Sequence, residues 1–168
     1  TVPVGQIGHL ILRGPSLMKG YFNLPEKTAE LLRNGWFYSG DAAYVDADGF
    51  IYVVGRIDHT IKSGGENIHP FEVENVLFEH PGIANAAVVG LPSRKWGQVV
   101  AAAVIKKDQT LTAEAIDRFC RESPNLADFK RPRVIVFVEE IPANPTGKVE
   151  RHALRKLLLA TLKTEELD

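Results

Sequence analysis

The stretch that most constrains this chain is Gly55-Arg56-Ile57-Asp58-His59-Thr60-Ile61-Lys62-Ser63-Gly64-Gly65-Glu66-Asn67-Ile68-His69-Pro70-Phe71-Glu72-Val73-Glu74. An apolar, strand-like run over residues 50–54 ends just before it, and charge, paired glycines and a proline-led helix start follow in quick order. Gly64-Gly65 permits backbone dihedrals and close approaches that a side chain would forbid. The stretch therefore reads as a hinge followed by a tight backbone surface, with one unit before it and another after.

At 168 residues the chain holds one ordinary domain, or one small domain and a piece of another. A net charge of -1 and a pI near 6.5 give no bulk positive charge for a nucleic acid to bind. The single cysteine, Cys120, excludes an internal disulfide and a cysteine-based metal site, and it is compatible with a reducing, cytoplasmic location. It falls on the apolar side of its helix with Ile116 and Phe119, as a buried inert thiol does. No apolar run approaches the ~20 residues that a membrane-spanning helix needs, and the five histidines form no ligand set, so no metal ligands are assigned.

Short apolar runs in the first 23 residues, notably His9-Leu10-Ile11-Leu12-Arg13 before Gly14-Pro15, predict strands joined by turns. Pro25 opens a short helix over residues 25–33, with Asn34-Gly35 as its stop. Residues 36–44 and 50–54 predict strands joined through Asp46-Ala47-Asp48-Gly49, a hairpin turn rather than the start of a calcium loop, whose later ligands are missing. Beyond the hinge the pattern gives a strand at 61–63, a helix from Pro70 that ends at His80-Pro81-Gly82, and buried strands at 83–91 and 99–105. Thr112 caps a helix through Ser123 with Leu111 and Ile116 as a staple, a strand covers 134–138, and a closing helix over about 150–163 buries Leu154, Leu157, Leu158 and Leu162 on one side. The whole is an α+β chain.

Four segments carry a resemblance. The hinge stretch, Tyr38-Ser39-Gly40-Asp41 before it, and Phe129-Lys130-Arg131-Pro132 and Asn144-Pro145-Thr146-Gly147-Lys148-Val149 after it resemble, in order and spacing, motifs of the adenylate-forming enzymes. That superfamily includes the acyl-CoA and aryl-CoA synthetases, peptide-synthetase adenylation domains and luciferases. Ser63-Gly64-Gly65-Glu66-Asn67-Ile68-His69-Pro70 and Arg94-Lys95-Trp96-Gly97-Gln98 are most similar to CoA ligases of the chlorobenzoate and medium-chain acyl type. The resemblance implies that residues 1–56 are the β-rich last subdomain of a large amino-terminal domain, and that 57–168 form a small mobile α+β domain hinged at Asp58. It implies an ATP-dependent carboxylate–CoA ligase that makes an acyl-adenylate and then a thioester. ATP, magnesium and coenzyme A would be its substrates or their companions.

Residue by residue, the resemblance makes Lys148 the lysine that bridges the substrate carboxylate and the α-phosphate of ATP; alone, a lysine in such a loop reads as a solvated cation. Asp41 is implied to accept hydrogen bonds from the ribose hydroxyls, with Arg56 beside it; without the family these read as a turn acid and a surface ion-pair partner. Gly64 and Gly65 are implied to line a tunnel for the pantetheine arm, Trp96 and Phe129 to sandwich the CoA adenine, and Arg131 and Arg133 to meet its phosphates. Core packing is the plain reading of both aromatics. The family's phosphate-binding loop and acyl pocket are not found among these residues, and Gly64-Gly65 lacks the Gly-Lys-Ser/Thr of a P-loop, so the chain alone is expected to be inactive. An adenylation domain loading a carrier protein and a non-catalytic nucleotide-binding module stay open as alternatives. The acid and the oligomeric state are unassigned.

Overall fold

The computed structural model describes residues 2–162 and 167, and its chain divides into two compact units, Thr1–Asp58 and His59–Asp168. In the first unit, strands β1 (Gly8–Leu12), β2 (Leu32–Arg33), β3 (Trp36–Val45) and β4 (Ile51–Arg56) form one antiparallel sheet around β3, with a short helix α1 (Pro25–Leu31) before β2. The helix ends two residues earlier than its pattern suggested. Asn34 and Gly35 both take positive φ (51° and 77°) and pair Arg33 with Trp36. A two-residue turn of that hand matches the twist of a hairpin, so Asn34-Gly35 converts the last residues of the expected helix into a strand.

The Asp46 turn is built as its composition predicts. Asp46 Oδ1 accepts from the Asp48 and Phe50 amides at 3.0 and 2.9 Å, and Gly49 takes φ +88°. This unit buries little: among its described apolar side chains only Ala42 and Ala43 are buried, while Phe22, Phe50, Ile51 and Val53 are largely exposed.

The second unit has three layers. Its sheet runs β6 (Glu66–Ile68), β5 (Ile61–Ser63), β8 (Gly97–Lys106), β7 (Ile83–Ser93), with β9 (Val134–Phe137) parallel to β8. Because side chains alternate across a strand, Val88, Val100, Ala102 and Val104 face one side, and Ala87, Val89, Leu91, Ala101 and Ala103 the other. Helices α2 (Pro70–Phe78) and α3 (Ala113–Glu122) cover the first face through Val73, Val76, Leu77, Ile116 and Cys120. Helix α4 (Arg151–Thr161) covers the second through Leu154 and Leu158. Burial on both faces explains why β7 and β8 read as unbroken apolar runs.

The Thr112 cap stands, with its hydroxyl accepting from the Ala115 amide at 3.2 Å and Leu111 and Ile116 buried in one cluster. Cys120 is fully buried, which pushes its thiol up to about 11. Two details depart from the sequence pattern. Strand β6 is added by Gly64 and Gly65, which close a two-residue hairpin at φ +59° and +89°. On α4, Leu157 is 41% exposed, because at 100° per residue it lies about 60° off the stripe on the side away from Leu158. Leu162 packs at the margin of the core, and Lys163, the expected end of that helix, lies outside the described residues.

Candidate functional site

The candidate residues fall in both units. In the first, Asp41 on β3 and Arg56 on β4 are direct cross-strand partners. The Arg56 guanidinium donates to the Ser39 carbonyl at 2.9 Å and lies 3.4 Å from a carboxylate oxygen of each of Asp41 and Asp58. Gly40 makes this possible: with φ +78°, a Cβ there would stand 2.6 Å from the Arg56 guanidinium. One arginine thus holds the expected ribose ligand and the expected hinge acid together. All three side chains remain substantially solvated, so the pairing orients more than it stabilises. Asp58 lies in a single 3-10 turn, Ile57–His59, at the boundary between the units.

In the second unit, Ser63, Gly64, Glu66, Trp96, Val99, Val100, Phe129 and Arg133 line a shallow cleft of about 110 Å³. Four of the six positions expected to meet CoA are among them. Trp96 and Phe129 are roughly half exposed rather than packed in the core, each with a lysine ammonium over its ring, Lys95 at 4.8 Å and Lys130 at 5.8 Å. Trp96 is seated by backbone: its carbonyl accepts from the Gly64 amide at 2.9 Å, and its own amide donates to Ser93 Oγ at 3.2 Å. A Cβ on Gly64 would press on the indole at 3.1 Å, so this glycine sets how close the hairpin and the ring come. Gln98 fixes the same hairpin by accepting from the Lys62 amide at 2.7 Å. A Cβ on Gly65 would meet nothing within 4 Å.

Arg131 is placed otherwise. Its guanidinium is mostly buried, bonded to Asp117 and, at 2.7 Å, to Asp128, and it does not line the cleft. Burial and the neighbouring Arg133 pull its pKa below the ordinary guanidinium value. On the other side of the turn Lys130 pairs with Glu72 at 2.6 Å. Together these bonds lock the turn that presents Phe129. Spacing alone gave no sign of Asp117 or Glu72 as partners, since each lies on a helix far from the turn in sequence. Nearby, burial lowers the pKa of His69 below the usual histidine value, against the raising influence of Glu72.

Lys148 sits in the loop between β9 and α4, and the loop is organised by Asn144. Asn144 Oδ1 accepts from the Thr146 amide, the Thr146 hydroxyl and the Lys148 amide at 3.0, 2.7 and 2.9 Å, while the Asn144 amide donates to the Lys148 carbonyl at 2.9 Å. Gly147 supplies the positive φ of +80° that the reversal requires. The backbone is therefore held from both sides. The Lys148 side chain is exposed, and its ammonium has no hydrogen bond or ion pair among the described residues. The loop therefore fixes the backbone of Lys148 and leaves its ammonium in solvent.

Known proteins share this architecture. Residues 72–148 match the family described as AMP-binding enzyme C-terminal domain. A 2-succinylbenzoate–CoA ligase of Bacillus mycoides is 45% identical over 158 residues, which cover 94% of this chain and 32% of that protein. The structure of o-succinylbenzoate CoA synthetase (MenE) from Bacillus subtilis in complex with the acyl-adenylate intermediate OSB-AMP matches with a TM-score of 0.84 at 36% identity, over 92% of this chain and 31% of that one. ATP-bound MatB from Rhodopseudomonas palustris matches with a TM-score of 0.87 at 33% identity, over 96% and 32%. The chain thus spans about a third of the length of the curated relative it matches. From Glu72 on α2 to the loop lysine itself, then, the chain carries the AMP-binding enzyme C-terminal domain, in the manner of the C-terminal portion of the adenylate-forming superfamily.

Proposed function

We propose that the chain is the carboxyl-terminal part of an ATP-dependent carboxylate–CoA ligase, whose Lys148 is the cation that swings into a reaction centre built by the rest of the enzyme. The observation that carries this reading is Lys148 itself, exposed and without a hydrogen bond or ion pair to its ammonium among the described residues, on a loop whose backbone Asn144 fixes. In the first half-reaction a carboxylate oxygen attacks the α-phosphorus of ATP, the bond to the pyrophosphate oxygen breaks, and an acyl-adenylate forms. Two anions must meet, and a compact ammonium between them offsets their repulsion most where charge gathers in the transition state. Magnesium accompanies the triphosphate. Asp41 accepts from the ribose hydroxyls while Arg56 holds its carboxylate in place.

In the second half-reaction the thiol sulfur of CoA attacks the acyl carbon, the bond to the AMP oxygen breaks, and the thiol proton is released. Lys148 must clear the centre first, which a pivot at Asp58 permits. The boundary between the units at that residue supports the pivot, and the cleft of Gly64, Trp96, Phe129 and Arg133 supports the CoA contact. Arg131 is mostly buried between Asp117 and Asp128, whereas Arg133, held to Asp128 only at 3.4 Å, is more exposed and lines the cleft, so the phosphate contact falls to Arg133. The exposed apolar surface of the first unit fits a subdomain that packs on a larger body.

The test uses the complete enzyme with ATP, a carboxylic acid and free CoA. AMP, pyrophosphate and an acyl-CoA are the expected products, and the 168-residue chain alone is expected to release no pyrophosphate. Phe129→Ala should raise the KM for CoA about tenfold, the loss of one base–aromatic stack, and leave adenylate formation unchanged. Turnover with a carrier-protein thiol but none with free CoA would move the assignment to a carrier-loading enzyme.

A further inference from the structure

The strand β7 is the outer strand of its sheet, and at its middle the Val88 amide and carbonyl turn outward to the open side. Two side chains complete them. Glu74 of α2 accepts from the Val88 amide at 2.8 Å, and Arg151, the first residue of α4, donates to the Val88 carbonyl at 2.6 Å. The same two side chains grip each other in a fork, at 2.7 and 3.0 Å, and both are largely buried. The two helices lie on opposite faces of the sheet. The pair therefore reaches round the sheet edge and ties one helical layer to the other, across 77 residues of sequence.

Arg151 stands three residues after Lys148. Between them Val149 bridges back to Ala143, and the Glu150 amide donates to the Pro142 carbonyl at 2.9 Å. No slack remains between the fork and the loop. We infer that Glu74 and Arg151 are positioning residues for adenylation: their fork sets the start of α4 and so the place from which Lys148 reaches. This rests on the reading of Lys148 given above. The geometry favours a positioning role over a purely cohesive one because the bidentate contact fixes the direction of the helix end as well as its attachment.

The test compares both half-reactions in the complete enzyme. Glu74→Ala and Arg151→Ala should each lower the kcat of adenylate formation about tenfold, as a small displacement of a reacting group does, while attack of CoA on supplied acyl-adenylate stays within about twofold. Glu74→Gln, which still accepts from the Val88 amide, should recover part of the loss; Arg151→Lys, which keeps the charge but not the fork, should recover less. An unchanged adenylation rate in the alanine variants, or equal loss in both half-reactions, overturns the inference. If Lys148→Ala itself leaves adenylation intact, the reading of Lys148 fails and the inference falls with it, a result separable from failure of the fork alone.

Discussion

Lys148→Ala in the complete enzyme is expected to lower acyl-adenylate formation by about a thousandfold, about 4 kcal/mol of transition-state stabilisation. The size follows from what the ammonium does. In the role proposed for it, the ammonium lies between a carboxylate and a phosphate only while charge is being redistributed, so its removal would cost the transition state far more than the bound ground state. The loss should appear in kcat, with the KM for ATP little altered, because Asp41 and the upstream domain hold the nucleotide. Attack of CoA on supplied acyl-adenylate should proceed at close to the wild-type rate, since Lys148 has left by then. Equal losses in the two steps would remove Lys148 from this role. Substitution by arginine should not restore the rate, because its planar fork and longer reach do not reproduce a point charge.

Gly65→Leu should produce the opposite pattern, with thioester formation reduced about a hundredfold and adenylation changed by less than threefold. Gly65 follows Gly64 in the hairpin turn that borders the cleft proposed to take CoA, and a side chain there projects into open space on its own unit. Any obstruction must therefore arise against the substrate arm. Its φ of +89° makes every L side chain costly, about 1–2 kcal/mol. Gly65→Ala separates the two effects, for it carries the same backbone strain with little bulk. If alanine and leucine impair the CoA step equally, strain in the turn and not obstruction is the cause. Stopped-flow measurement of each half-reaction, together with thermal unfolding of both variants, resolves the question.

The parts of the fold legible in the sequence are those written locally. Helix α3 is stated by Thr112, Leu111 and Ile116 within a few residues, and the Asp46 turn by its own side chain. Strands β7 and β8 are stated by continuous apolar runs, because both of their faces are covered. Glycine pairs and Asn-Gly are where the pattern divides: Asn34-Gly35 ends a helix or turns a hairpin with equal local chemistry, and only pairing with Trp36 decides. The candidate site is written in the sequence as a set of motifs, and one cleft gathers four of its positions, Gly64, Trp96, Phe129 and Arg133, from segments up to 69 positions apart. What the motifs did not state were the long-range charge partners. Glu74, Asp117 and Glu72 look like ordinary helix-surface acids until the fold brings Arg151, Arg131 and Lys130 to them.

The fork at Val88 has one more effect. An outer strand with free amide and carbonyl groups is a template on which another polypeptide can add, the first step of edge-to-edge aggregation. Here that template is occupied at its centre by a carboxylate and a guanidinium, so the same two residues that hold the lysine loop also deny the long apolar strand to foreign chains.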